Sequence, residues 1–338
     1  MAANSSYKDA LKSAQADIEN ERFEQATVTI DGILGQSPDH FDAHYMAAVC
    51  ARYSQRPEKA AHHIAYMKTI MPEFGRVFQE EGHLYAQSDP EKALRAYQFA
   101  CQKNPTLLAS WKAQAHLLAA KNMKAAAERA LANGKSVAAQ PKALQAAMNH
   151  LYEGRLAQAE EMCRVFLNKH KHHVEGMRIL AQVALRHGEN DQAEFLLESI
   201  LEFHPHLHDI RLEYIEVLKN RQKFEQAESE SAFLVTQAPE RVTHLSVHAV
   251  NIMQAGRYDE ALELFDRILQ RVPNDAGTWT SKGHALKTLG REDEAVEAYR
   301  KGIAAKTDHG DGFYSLANLK TYNFKEHELQ QMNRLVQS

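Results

Sequence analysis

Alanine recurs in this chain at a nearly constant interval. Ala26, Ala60, Ala93, Ala127, Ala159, Ala193, Ala227, Ala261 and Ala295 are separated by 34, 33, 34, 32, 34, 34, 34 and 34 residues. Proline keeps the same phase. Pro38, Pro72, Pro105, Pro205, Pro239 and Pro273 each follow an alanine of the series by 12 residues, and Pro57 and Pro90 precede one by three. The pattern is cleanest at the C-terminal end, where Gly256, Ala261, Phe265 and Pro273 return as Gly290, Ala295, Tyr299 and Thr307. A period near 34 with a small residue, an aromatic and a proline at fixed offsets belongs to stacked helix–turn–helix repeats.

The offsets have a packing logic. Alanine lets two helix backbones approach where they cross. A larger residue four positions on (Ile30, Ile64, Tyr97, Leu131, Leu197, Phe265, Tyr299) is expected to fill the space between helices. Proline cannot continue a helix, so it closes the second helix of each repeat, and at the first turn of a helix its missing N–H costs little. One repeat cannot bury its apolar face alone, so neighbours must stack. The expected fold is therefore all-α: a right-handed α-α superhelix of about nine repeats with terminal helices, spanning residues 1–322. Residues 323–338 are expected to form a capping helix or the start of a linker. Phe313, Leu316, Ala317, Leu319 and Lys320 extend the pattern as the first helix of a tenth repeat. The single 32-residue step predicts an irregular junction at 132–142, with Gly134 ending one helix and Pro141 opening the next.

Bulk properties narrow the function classes. Across 338 residues the net charge is −4, so nothing draws the chain as a whole to nucleic acid or an anionic membrane. No apolar run is long enough for a membrane span, and the N-terminus lacks the apolar core of a signal peptide. Cys50, Cys101 and Cys163 are odd in number and fall at helical positions. That argues for a reducing, cytoplasmic setting rather than a disulfide scaffold.

The residues Trp279, Lys282, Gly283, Leu286, Gly290, Ala295, Tyr299 and Gly302 stand at the signature positions of the tetratricopeptide repeat, and the pattern resembles that family over about residues 7–322. Lys282 departs from the family's usual leucine. The resemblance implies that the first helix of each repeat lines a concave face, with the second, fifth, ninth and twelfth positions pointing into it. Here those positions include Tyr45, Arg52, Arg76, Gln79, His83, Lys112, His116, Arg178, Gln182, Asp209, Glu216, Lys219, His284 and Lys287, with Arg186 and Asn220 one position on. The stripe is polar and basic in its first two-thirds. It implies a groove for an extended acidic or polar peptide, or for a partner protein, held by charge-assisted hydrogen bonds. Tyr45 and Val49 occupy places where chaperone-tail binders of the family carry a carboxylate clamp. The sixth position lacks the asparagine ladder of the sugar-transferase arrays.

Other constellations point away from chemistry. The 19 histidines cluster at His62–His63, at His170, His172 and His173, and at His204, His206 and His208. All are expected in exposed turns, without cysteine or carboxylate at a zinc spacing, so no metal site is expected. No phosphate loop, HExxH or GxSxG occurs, so neither catalytic residues nor a cofactor are assigned. Trp111, Trp279 and Cys163 occupy core positions.

The text from Gly283 to Ala304, GHALKTLGREDEAVEAYRKGIA, followed by SLANLKT from Ser315 to Thr321, is also similar to the end of the repeat region in bacterial tetratricopeptide-repeat sulfotransferases. That resemblance extends over about residues 105–335. In that family a phosphosulfate-binding loop follows, its backbone N–H groups holding the donor. No such loop occurs up to Ser338. The resemblance implies either a protein–protein interaction scaffold or the substrate-recruiting N-terminal part of a longer sulfotransferase.

Overall fold

The computed structural model describes residues 2–319 and 321–337, with side chains for 7–319 and 321–335. These residues form helices joined by short turns, without a strand among them. Two compact units result, Met1–His187 and Gly188–Ser338. The first contains α1 (Ala2–Glu19), α2 (Phe23–Gln36), α3 (Phe41–Tyr53), α4 (Pro57–Ile70), α5 (Gly75–Tyr85), α6 (Pro90–Lys103), α7 (Leu108–Ala120), α8 (Lys124–Ala138), α9 (Lys142–Tyr152), α10 (Leu156–Lys169) and α11 (Val174–His187). The second contains α12 (Asn190–Phe203), α13 (His208–Asn220), α14 (Phe224–Gln237), α15 (Val242–Gln254), α16 (Tyr258–Arg271), α17 (Ala276–Thr288), α18 (Glu292–Ala305), α19 (Gly310–Ala317) and α20 (Glu326–Gln337).

The alanine series sets the helices directly. From α2 to α18 every even-numbered helix begins three residues before its alanine, and those alanines are buried. The turn entering eight of these nine helices carries a left-handed residue five before the alanine. Gly154, Gly188, Gly256 and Gly290 supply it freely, whereas Glu21, Gln55, Asn122 and Gln222 adopt it with a side chain. In the repeat of Ala93 a different start operates. Pro90 opens α6 and the carboxylate of Asp89 accepts the N–H of Lys92 at 2.9 Å. Helices end as the prolines require. Ser37, Met71, Asn104, His204, Ala238 and Val272 cap six of them just before a proline, which holds the preceding backbone out of the helical region.

Ile30, Ile64, Tyr97, Leu197, Phe265 and Tyr299 are buried as expected, and Cys163 and Ser231 fill the same position in their repeats. Leu131 does not: it is 44% exposed. Gly134 does not end a helix either. It lies inside α8, which runs on to Ala138. The two departures share a cause. A Cβ on Gly134 would stand 3.1 Å from Cβ of Trp111, so α8 turns its glycine face onto α7 and Leu131 outward. Pro141 does cap α9, and the side-chain amide of Gln145 donates to the carbonyls of Ala138 and Gln140 at the end of α8. The connection 139–141 is one residue shorter than the other turns leading into odd-numbered helices from α3 to α19.

Near the C-terminus, α19 stops at Ala317, before Leu319, and Lys320 lies outside the described residues. Tyr322, Phe324, Met332 and Leu335 pack against the core formed by α15 to α19, so α20 covers apolar surface of the second unit. Three of the clustered histidines are in helices rather than exposed turns. His208 opens α13 and is half-buried; His62 and His63 are in α4, and Nδ1 of half-buried His63 lies 2.9 Å from Nδ1 of buried His44.

Candidate functional site

In the first unit α3 and α5 lie side by side and turn one face to an open cleft of about 830 Å³. Five of the residues expected on the concave stripe line it: Tyr45 and Arg52 from α3, and Arg76, Gln79 and His83 from α5. Their spacing of three, four and seven residues keeps them on one face of each helix. The ends of α1 and α9 complete the walls with Glu19 and Glu153.

The charges here are not free. Arg52 Nε donates to Glu80 at 2.9 Å, and Arg76 pairs with Glu153, as does Arg155. The side chains of Glu80 and Glu153 are 6% and 3% exposed. Burial works against the charge on Arg52 and on Arg76, and the Glu80 and Glu153 carboxylates more than restore it, so both guanidinium pKa values lie above their ordinary value. The expected basic character is therefore offset inside this cleft, where five carboxylates (Glu19, Glu21, Asp42, Glu80, Glu153) face three arginines. Tyr45 is pushed up to about 12, by burial first and by the Glu80 charge second. Burial lowers the pKa of His83, whose Nδ1 lies 2.8 Å from the Tyr97 hydroxyl, so the ring is neutral near pH 7.

Aromatic rings form much of the remaining surface. Phe23 and Tyr53 stack with centroids 4.7 Å apart, Arg52 lies over the Tyr53 ring at 4.2 Å, and Phe41 meets Phe74 edge-on.

The other stripe residues are elsewhere. Lys112 and His116 on α7 are exposed and outside the cleft. Arg178 and Gln182 on α11 border a smaller hollow of about 240 Å³, where Arg178 meets Glu175 at 3.6 Å, and Arg186 is exposed. In the second unit Lys219 pairs with Glu216 on its own helix at 3.1 Å, Asn220 is exposed, and Asp209 meets Arg241 at 3.9 Å. His284 and Lys287 border a hollow of about 410 Å³ that also receives Tyr314, Ser315 and Asn318.

Sequence reasoning missed the carboxylates. Glu80 is one residue from Gln79, at a position taken as outside the stripe. Glu153 lies 77 residues from Arg76, beyond any local period. Among the described residues no group of three or more His, Cys, Asp or Glu side chains is placed to hold a metal ion. No helix among them is long and apolar enough to cross a membrane.

The second unit repeats one detail of the first. His284 Nδ1 lies 3.1 Å from the Tyr299 hydroxyl, as His83 does from Tyr97. A Cβ at Gly283 would overlap the Tyr299 ring, and one at Gly82 the Tyr97 ring. Glycine, buried aromatic, left-handed Gly290 and the alanine crossing all sit within one helical hairpin. Residues 253–319 match the tetratricopeptide repeat family. This tetratricopeptide stretch runs from the end of α15 to just beyond α19 and includes the cleanest of the periodic text.

No match is found among curated proteins. Solved structures of similar architecture include MamA AMB-1, with 20% identity over 48% of this chain and 88% of that one, at a TM-score of 0.41. MamA 41-end from Desulfovibrio magneticus RS-1 shares 13% identity over 51% of this chain and 99% of that one, at 0.45. YrrB, described as a TPR protein with an unusual peptide-binding site, shares 16% identity over 66% of this chain and 98% of that one, at 0.42.

Proposed function

We propose that this chain is a protein–protein interaction scaffold that receives an extended peptide, or an extended segment of a partner protein, in the cleft of its first unit. The observation that carries the reading is the convergence of Tyr45, Arg52, Arg76, Gln79 and His83 on one open cavity of about 830 Å³. Its size, its aromatic rings and its many oriented polar and charged groups suit a side-chain-reading site. Catalysis is assigned to none of these residues, and neither nucleic acid nor a membrane is proposed as partner. Three buried free thiols, each pushed well above the ordinary range by burial, fit a cytoplasmic protein.

The test is a displayed peptide library selected on the whole chain. Selected peptides should lose about tenfold in affinity when Tyr53→Ala and Gln79→Ala are combined, since both side chains face the cleft. Binding indifferent to that pair would remove the cleft as the site.

A second reading is that the chain recruits substrate for a sulfotransferase of which it is the N-terminal part. The observation favouring it is that His284, Lys287, Ser315 and Asn318, all from the sulfotransferase-like text, line one hollow. Reading the coding region past Ser338 decides it: a phosphosulfate loop supports the idea, and its absence there and from adjacent genes removes it.

A further inference from the structure

We infer that the segment received by the first unit's cleft is cationic: an extended stretch of a partner protein carrying Lys or Arg beside an aromatic or aliphatic anchor. The inference rests on the cleft being the binding site, and it names the charge of what binds there. Every arginine lining the cleft is already committed. Arg52 is paired with Glu80, and Arg76 and Arg155 share Glu153. An acidic segment would have to compete with these two buried carboxylates for their guanidinium partners, leaving a buried charge unmatched.

The carboxylates are differently placed. Glu19, Glu21 and Asp42 are exposed on the rim. None of the three has a cationic partner among the described residues; Glu19 accepts only the neutral amide of Gln15, at 3.0 Å. Beside them the Tyr53 ring is 55% exposed and stacked on Phe23. A Lys or Arg side chain entering here meets carboxylates without a cationic partner, which attract its charge, while its aliphatic stem lies along the exposed part of Tyr53, whose ring already carries Arg52 and Phe23. Charge complementarity thus runs opposite to what the basic residues of the stripe suggest when they are counted alone.

Fluorescence anisotropy with two dye-labelled peptide pools tests this on the whole chain. One pool mixes Lys and Arg with Phe and Leu; in the other Glu and Asp replace the basic residues. The basic pool should bind at least about tenfold more tightly, and its affinity should fall as salt is raised on the unaltered chain. The combined reversal Glu19→Lys, Glu21→Lys and Asp42→Lys, with folding checked by circular dichroism, should weaken the basic pool about tenfold. If the acidic pool binds as tightly or more tightly, and Tyr53→Ala with Gln79→Ala abolishes that binding, the charge assignment is overturned and the cleft reading stands. Binding of the basic pool that ignores both the reversal and salt also overturns the inference. If neither pool binds, the cleft reading and the inference fall together.

Discussion

Arg76 donates to Glu153 across 77 residues of sequence, from the first turn of α5 to the end of α9. The contact closes one wall of the cleft, and it has company. Asn149, one turn earlier on α9, accepts from Asn104 Nδ2 at 3.1 Å and from Thr106 Oγ1 at 3.0 Å. The connection after α8, one residue shorter than its counterparts, leads into the helix that makes both contacts.

Glu153→Ala should destabilise the first unit by about 1–3 kcal/mol, because it deprives two partly exposed guanidinium groups of their shared carboxylate. Arg76→Ala should cost less, since Arg155 still matches Glu153. In urea unfolding the double variant should fall short of the sum of the singles, the mark of direct coupling. Strict additivity would mean that the pair contributes nothing.

Acid should weaken the chain in a defined window. Burial first, and the neighbouring His44 second, lower His63 from its ordinary 6.5 to about 4. The folded state therefore binds fewer protons than the unfolded chain between these values, so stability is lost as pH falls from about 6.5 towards 4. His83, His248 and His284 are lowered as well, chiefly by burial, and act in the same direction. With allowance for solvent, the His63 share is on the order of 1 kcal/mol. Melting temperatures measured across this range should fall less steeply for His63→Gln. An identical slope would show that His63 does not titrate this way.

The left-handed turn residues give predictions of opposite sign at equivalent positions. Gln222 has φ of 60° and Gly256 has φ of 84°, each five residues before its alanine. Gln222→Gly should stabilise by about 0.5–1 kcal/mol, because glycine removes the Cβ strain of that conformation. Gly256→Ala should destabilise by about 1 kcal/mol for the same reason. Nothing lies within 4 Å of a Cβ at Gly256, so the effect there is conformational and not steric.

At Gly283 the cause is steric. A methyl there collides with the fully buried Tyr299 ring, so Gly283→Ala should cost about 1–3 kcal/mol by thermal or urea unfolding. Adding Tyr299→Leu should recover part of the loss, because the smaller side chain vacates the space. Failure of that rescue would place the strain elsewhere in the repeat.

The sequence was a good guide wherever the determinant is local. The start of each second helix and the proline stop depend on residues within a dozen positions, and backbone sterics act over that range. Five stripe residues reached the cleft because helical spacing alone puts them on one face. The same reasoning misplaced Leu131 and Gly134. Alanine phase says where α8 begins but not how it rotates, and rotation was settled by the fit of Gly134 against Trp111.

Alone, then, the sequence determined the repeat, the starts of the second helices and most of the core, since small, aromatic and proline residues act on their own backbone and nearest neighbours. Only the tertiary structure decided the charge that the cleft presents. Electrostatics depends on distance in space, and the partners that neutralise Arg52 and Arg76 come from other turns and other helices, brought near only when the chain has folded.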